Sequence, residues 1–135
     1  MAKTQKFSLG IDLGGTKIAV GLCHGEEIIK KAIFPTQASA GFDGVVAVIL
    51  EAVAKVMADH KLSDIRGAGI GSAGQINAET GEVIYSPNLG WNNAPLGGTV
   101  AKALGVPVKV LNDVRAATVA EHKFGNGRGL ASFGN

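Results

Sequence analysis

The sequence predicts an α/β fold: a mixed sheet that opens with an antiparallel three-strand meander and carries helices on its faces. Three observations lead there. Short β-type runs separated by turn signals fill the first 35 residues. An apolar period of 3.6 residues then runs from Phe42 to Met57. Beyond it, two short apolar runs, Ile65 to Ile70 and Val108 to Leu111, alternate with helical patterns.

Each element has its own signal. Phe7 to Leu13 alternates and ends at Gly14-Gly15, a strand followed by a turn. Lys17 to Cys23 is a second strand, His24-Gly25 a hairpin turn, and Glu26 to Phe34 a third strand stopped by Pro35. Phe42, Val45, Val46, Ile49, Leu50, Val53, Val56 and Met57 form a wide helical stripe, with Asp43 near its start. Ile65 to Ile70 is a buried strand feeding the loop Gly71-Ser72-Ala73-Gly74. Residues 75–95 are polar and turn-rich, with Val83-Ile84-Tyr85 as one short strand. Leu96 to Leu104 is a modest helix closed by Gly105 and Pro107. Val108 to Leu111 is a strand, and Asn112-Asp113 caps a helix to about Phe124, ended by the glycine-rich run 125–129.

Composition narrows the function. A chain of 135 residues with 46% hydrophobic and 18% charged residues reads as one globular domain. Its 20 Gly are about twice the usual share and lie among Ile, Val and Leu, so they are not a linker. A net charge of +2, with no basic block longer than Lys30-Lys31, argues against nucleic acid or a membrane surface as partner. The lone Cys23 argues against a disulfide framework and against a zinc site of the cysteine-cluster kind. Neither a signal peptide nor an apolar membrane span is legible, which makes a cytoplasmic protein the expectation.

Three polar or glycine-rich turns follow three strands: Asp12 to Lys17, Gly71 to Gly74, and Asn112-Asp113. In mixed sheets of this type ligands bind beyond the carboxyl ends of the strands, so the three turns are expected to converge at one edge. Asp12-Leu13-Gly14-Gly15-Thr16-Lys17 has two readings. Backbone N–H groups of Gly14 and Gly15, with Thr16 and Lys17, would cradle a phosphate while Asp12 holds Mg²⁺ through water. Alternatively the glycines make a plain hairpin turn that Asp12 caps. Gly69-Ile70-Gly71-Ser72-Ala73-Gly74 matches the dinucleotide fingerprint by spacing, but turn residues follow it rather than a helix, so a polar ligand such as a sugar suits it better. Asn112-Asp113 is either a helix cap or a substrate site in which Asp113 accepts a hydroxyl proton; a helix N-terminus would keep that carboxylate ionised. Trp91 either stacks on a ligand or anchors its loop.

Taken together, Ile11-Asp12-Leu13-Gly14-Gly15-Thr16-Lys17, Gly69-Ile70-Gly71 with Gly74, Ser86-Pro87-Asn88-Leu89 with Trp91, Leu111-Asn112-Asp113 and Gly125-x-Gly127-Arg128-Gly129 resemble the ROK family of bacterial repressors, open reading frames and sugar kinases, including glucokinases and fructokinases. The resemblance runs from about residue 7 to residue 129, with the motifs in family order. It implies an actin/hexokinase-like (ribonuclease H-like) lobe and an ATP-dependent hexose kinase that uses Mg²⁺. It also implies site roles. Asp12, Gly14, Gly15, Thr16 and Lys17 bind phosphate, Asn112 and Asp113 bind the sugar with Asp113 as base, and Gly74, Asn88 and Asn92 line the sugar pocket.

The chain departs from the family pattern at Ala73, where Pro is usual, and at Val114-Arg115, where Ala-Asn is usual; both departures bear on the choice of sugar. The family's second phosphate loop, its Glu-x-Gly-His motif and its zinc site are absent from residues 1–135. The expectation is therefore a single amino-terminal lobe, inactive by itself, that forms homo-oligomers through surface meant for a second lobe. The alternatives are a non-catalytic sugar-binding or interaction module, or a fragment of a ROK-type transcriptional regulator.

Overall fold

The described residues of this computed structural model, 7–25, 27–72 and 74–112, form eight strands and two helices. In chain order these are β1 (Phe7–Leu13), β2 (Lys17–His24), β3 (Glu27–Pro35), α1 (Gly41–Val56), β4 (Ile65–Ser72), β5 (Gln75–Asn77), β6 (Glu82–Ser86), β7 (Trp91–Ala94), α2 (Leu96–Leu104) and β8 (Val108–Leu111). The main sheet has the order β3-β2-β1-β4-β8. Its first three strands are the expected antiparallel meander, and β1, β4 and β8 run parallel. A second, antiparallel sheet has the order β5-β6-β7.

The two faces of the main sheet differ in chemistry. Leu9, Ile11 and Leu13 of β1, Ile18, Val20 and Leu22 of β2, Ile70 of β4 and Val110 of β8 are all buried. They share the core with Val45, Val46, Val48, Ile49, Ala52, Val53 and Val56 of α1, which packs on β2 and β3. Each such side chain contributes about 1.5–3 kcal/mol when fully buried. The intervening residues of β1 form the other face. Ser8, Gly10 and Asp12 pair with Cys23, Gly21 and Ala19 of β2, and Gly10 and Asp12 pair with Gly69 and Gly71 of β4. Part of the glycine excess thus lies inside strands, where it keeps this face shallow around the Asp12 carboxylate.

The small sheet is docked by backbone contact. Gly97, in the first turn of α2, donates its N–H to the Gly81 carbonyl at 2.8 Å, and a Cβ on Gly97 would lie 2.9 Å from Gly81 Cα.

Several boundaries differ from the sequence reading. Gly71 and Ser72 belong to β4, because they pair with Asp12 and Leu13, so the loop is shorter than expected. Residues 75–95 hold three strands rather than one. Polar residues hide them: buried Val83 and Ser86 of β6 face buried Ala94 and Trp91 of β7, while Tyr85 and Asn92, opposite each other, are exposed. Pro35 is the last residue of β3 rather than the stop just beyond it, which an edge strand tolerates. His24 belongs to β2 rather than to the turn. The helix expected after Asn112, together with Asp113 and Ala73, lies outside the described residues.

Candidate functional site

Parallel pairing sets the carboxyl ends of β1, β4 and β8 side by side. Asp12 lies opposite Gly71, and Gly71 lies opposite Leu111. With strands about 4.8 Å apart, the Asp12 and Leu111 backbones are separated by roughly 10 Å, and exposed Asn112 is the next residue. The expected convergence at one sheet edge therefore holds for the described residues; Asp113 lies outside them.

The β1–β2 connection is a tight hairpin tip. Gly14 donates its N–H to the Lys17 carbonyl at 2.9 Å, so this amide is committed to the turn. Buried Thr36, just past β3, holds the other side. Its hydroxyl donates to the Gly14 carbonyl at 2.7 Å, and its N–H donates to the Thr16 carbonyl at 2.9 Å. In a trans peptide the C=O and the following N–H point in opposite directions. Tying back the Gly14 and Thr16 carbonyls therefore turns the N–H groups of Gly15 and Lys17 away from Thr36. The turn is a tight hairpin, and its clamp sets the direction of the Gly15 and Lys17 peptide planes. Sequence reading missed Thr36, which looks like part of a linker; its only signal is a hydroxyl residue following the strand-ending Pro35.

The remaining predicted residues fall into two groups. Gly15 abuts Asn88, where a Cβ would approach the Asn88 Cβ to 3.2 Å. Gly74 has φ +109°, and a Cβ there would strike the Tyr85 carbonyl and Ser86, so only glycine fits. Gly15, Gly74 and Asn88 thus meet around the end of β6. Asn92 sits on β7 opposite Tyr85 and lines a cavity of about 570 Å³ together with Ser39, Phe42, Leu89, Trp91 and Asn93. Trp91 is buried and packs edge-to-face on Phe42, with centroids 5.1 Å apart, so it anchors the loop.

Burial raises the Asp12 carboxyl above its ordinary value of 3.8, against the opposing pull of Lys17 and Lys31. Among the described residues no group of three or more His, Cys, Asp or Glu is placed to hold a metal ion. A single desolvated carboxylate fits a cation that keeps its waters and takes its other ligands from phosphate, as Mg²⁺ does. No helix among the described residues is long and apolar enough to cross a membrane.

Comparison with known proteins adds the decisive observation: the ROK family model matches residues 8–133. The chain belongs to the ROK family. Glucokinase from Streptomyces coelicolor is 37% identical over 124 residues, which cover 91% of this ROK chain and 38% of that protein. The solved ROK family glucokinase from Streptomyces griseus, in complex with glucose and AMPPNP, is 32% identical, superposes with a TM-score of 0.72, and is matched over 91% of this chain and 38% of its own. A solved ROK family transcriptional regulator, a homolog of the E. coli MLC protein, is 27% identical with a TM-score of 0.68 over 87% of this chain and 30% of its own. The chain thus spans 38% of the length of the curated glucokinase. Its fold is the actin/hexokinase-like fold of these ROK sugar kinases.

Proposed function

We propose that this ROK chain is the amino-terminal lobe of an ATP-dependent hexose kinase. The alignment of Asp12, Gly71 and Leu111 at one sheet edge supports this reading, because it brings the β1–β2 turn to the same edge as Asn112, the residue that precedes Asp113 in the sequence. The turned-out amides of Gly15 and Lys17, the Thr16 hydroxyl and the Lys17 ammonium receive the phosphates of ATP. Gly14 serves as the hinge of the turn rather than as a donor. Asn112 fixes the sugar, with Gly74 and Asn88 at its rim and Asn92 beyond them. Asp113 accepts the proton of the attacking sugar hydroxyl as the hydroxyl oxygen bonds to the γ-phosphorus and the bond from that phosphorus to the β,γ-bridging oxygen breaks, releasing ADP. Asp12 would hold Mg²⁺ through water, and the ion would supply charge neutralisation on the phosphates. Phosphoryl transfer has a loose transition state, so positioning and electrostatics carry most of the catalysis.

The test is ATP-dependent phosphorylation of glucose, fructose, mannose and N-acetylated hexosamines by the protein that carries this lobe. Asp113→Ala should remove nearly all turnover; retained turnover would falsify the base assignment. The 135-residue chain alone is expected to be inactive, since the facing half of the nucleotide site is not among its motifs. The likeness to a ROK regulator supports a second reading, a lobe that binds sugar without transfer. Hexose binding without turnover in the same protein would select it. The lobe is further proposed to self-associate through exposed apolar surface.

A further inference from the structure

The segment between β3 and α1 carries one strained link. Thr36 grips the Gly14 and Thr16 carbonyls, and the next residue, Gln37, has φ 58° and ψ 52°. Among the described residues only Gln37 and Asn93 hold a side chain in this left-handed region. Asn enters it readily because its short amide bonds locally; the longer Gln side chain lacks that compensation. Gln37 also starts the helical turn Ala38–Ala40, yet its side chain makes no capping hydrogen bond and is exposed. Glycine or asparagine would serve this local conformation better. The strain is therefore imposed by what lies on either side of Gln37, and strain kept beside a ligand-type turn points to function.

Both sides are anchored. Toward the sheet, the Thr36 hydroxyl and N–H hold the β1–β2 turn at 2.7 and 2.9 Å. Toward α1, the Ala40 N–H donates to the Gln37 carbonyl at 2.8 Å, and Phe42 packs on Trp91 with centroids 5.1 Å apart. Trp91 leads back along the chain to Asn88, whose turn is closed by the Gly90 N–H on the Ser86 carbonyl at 2.8 Å. Asn88 in turn abuts Gly15. The contacts thus form a closed circuit that leaves the β1–β2 turn at Gly14, through Thr36 and Gln37, and returns to it at Gly15, through Asn88. A right-handed or extended Gln37 would redirect the chain, so that Thr36 and Phe42 could not both keep their partners.

We propose that Gln37 is a positioning residue for nucleotide binding: held left-handed, it locks this circuit and so fixes the Gly15 and Lys17 amides toward the phosphates of ATP. It acts through its backbone conformation, not through a side-chain contact with the ligand. That the ligand is ATP rests on the kinase reading; the locking of the two amides does not.

Three substitutions separate backbone from side chain. Asn favours the left-handed region, glycine enters and leaves it freely, and β-branched Val opposes it. In the protein that carries this lobe, Gln37→Asn should keep the KM for ATP within about two-fold and Gln37→Val should raise it about ten-fold, with Gln37→Gly between them. The KM for hexose should stay within about two-fold in all three, because a positioning role at the turn touches only nucleotide binding. Without any ligand, the amide order parameters of Gly15 and Lys17, measured by nitrogen NMR relaxation, should fall in the same order. If Gln37→Val does not fold, the comparison of Asn with Gly decides the matter by itself. Equal KM values for ATP in the Asn and Gly variants, or a parallel rise of the ATP and hexose KM values, overturn the proposal. Order parameters that fall as expected in a protein that neither binds nor uses ATP count against the kinase reading and leave the lock standing.

Discussion

Thr36 grips Gly14: its hydroxyl donates to the Gly14 carbonyl at 2.7 Å while its own N–H holds the Thr16 carbonyl at 2.9 Å. One buried residue at the end of β3 therefore sets the peptide planes of the β1–β2 tip. Thr36→Val keeps the shape and the N–H but removes the hydroxyl, leaving the Gly14 carbonyl without this donor. Stability should fall by about 1–2 kcal/mol in urea unfolding, and Thr36→Ser should recover most of the loss. In the active protein the KM for ATP should rise more than the KM for sugar. Equal effects of valine and serine would show that the hydroxyl does not set the tip.

Asp12 is held against its own preference. Burial raises its carboxyl above 3.8, so the folded state binds this proton more tightly than the unfolded chain does. The linkage sign follows. Below 3.8 the group is protonated in both states and costs nothing, and the penalty grows as pH rises through the raised folded value. Asp12→Asn should therefore raise the Tm at pH 7, with the gain vanishing on acidification below 3.8. The same substitution should abolish phosphoryl transfer. A stabilised, inactive variant is the pattern expected of a residue kept for function.

Lys17 opposes the burial of Asp12. Lys17→Ala should push the Asp12 carboxyl higher still, which a carboxyl-carbon NMR titration reads directly. No upward movement would mean that solvent screens the pair.

Gly97 and Gly98 are neighbours with opposite tolerances. A Cβ on Gly97 would lie 2.9 Å from Gly81 Cα and 3.1 Å from Val110 Cγ2, whereas one on Gly98 meets nothing within 4 Å. Gly97→Ala should cost about 1–3 kcal/mol by forcing the small sheet off α2. Gly98→Ala should stabilise by about 0.5–1 kcal/mol through helix propensity. Thermal melts of the two variants check both signs.

Ile33 is 54% exposed and Ile29 38% exposed on β3, an edge strand of the main sheet. Exposed apolar edge strands pair with other chains. Sedimentation should show association that Ile33→Lys weakens; a monomeric wild type at high concentration would remove the self-association proposal.

The sequence by itself determined the periodic part of this protein. The meander, α1, α2 and the strands at 65 and 108 all declare themselves through apolar spacing, since those residues are buried on one face and their period is the geometry of the element. It also determined the ROK family, because Asp12-x-Gly14-Gly15-Thr16-Lys17 and Asn112-Asp113 stand in family order. Tertiary structure alone decided the rest. Segment 75–95 hides three strands because polarity does not follow burial there: Ser86 is buried, while Ile84 and Tyr85 of β6 are exposed. Thr36 was illegible because its partners, Gly14 and Thr16, lie about twenty residues away and meet it only when β2 pairs with β3. The alignment of Asp12 with Gly71 and Leu111 likewise exists only through parallel strand pairing, a long-range contact that no local spacing encodes.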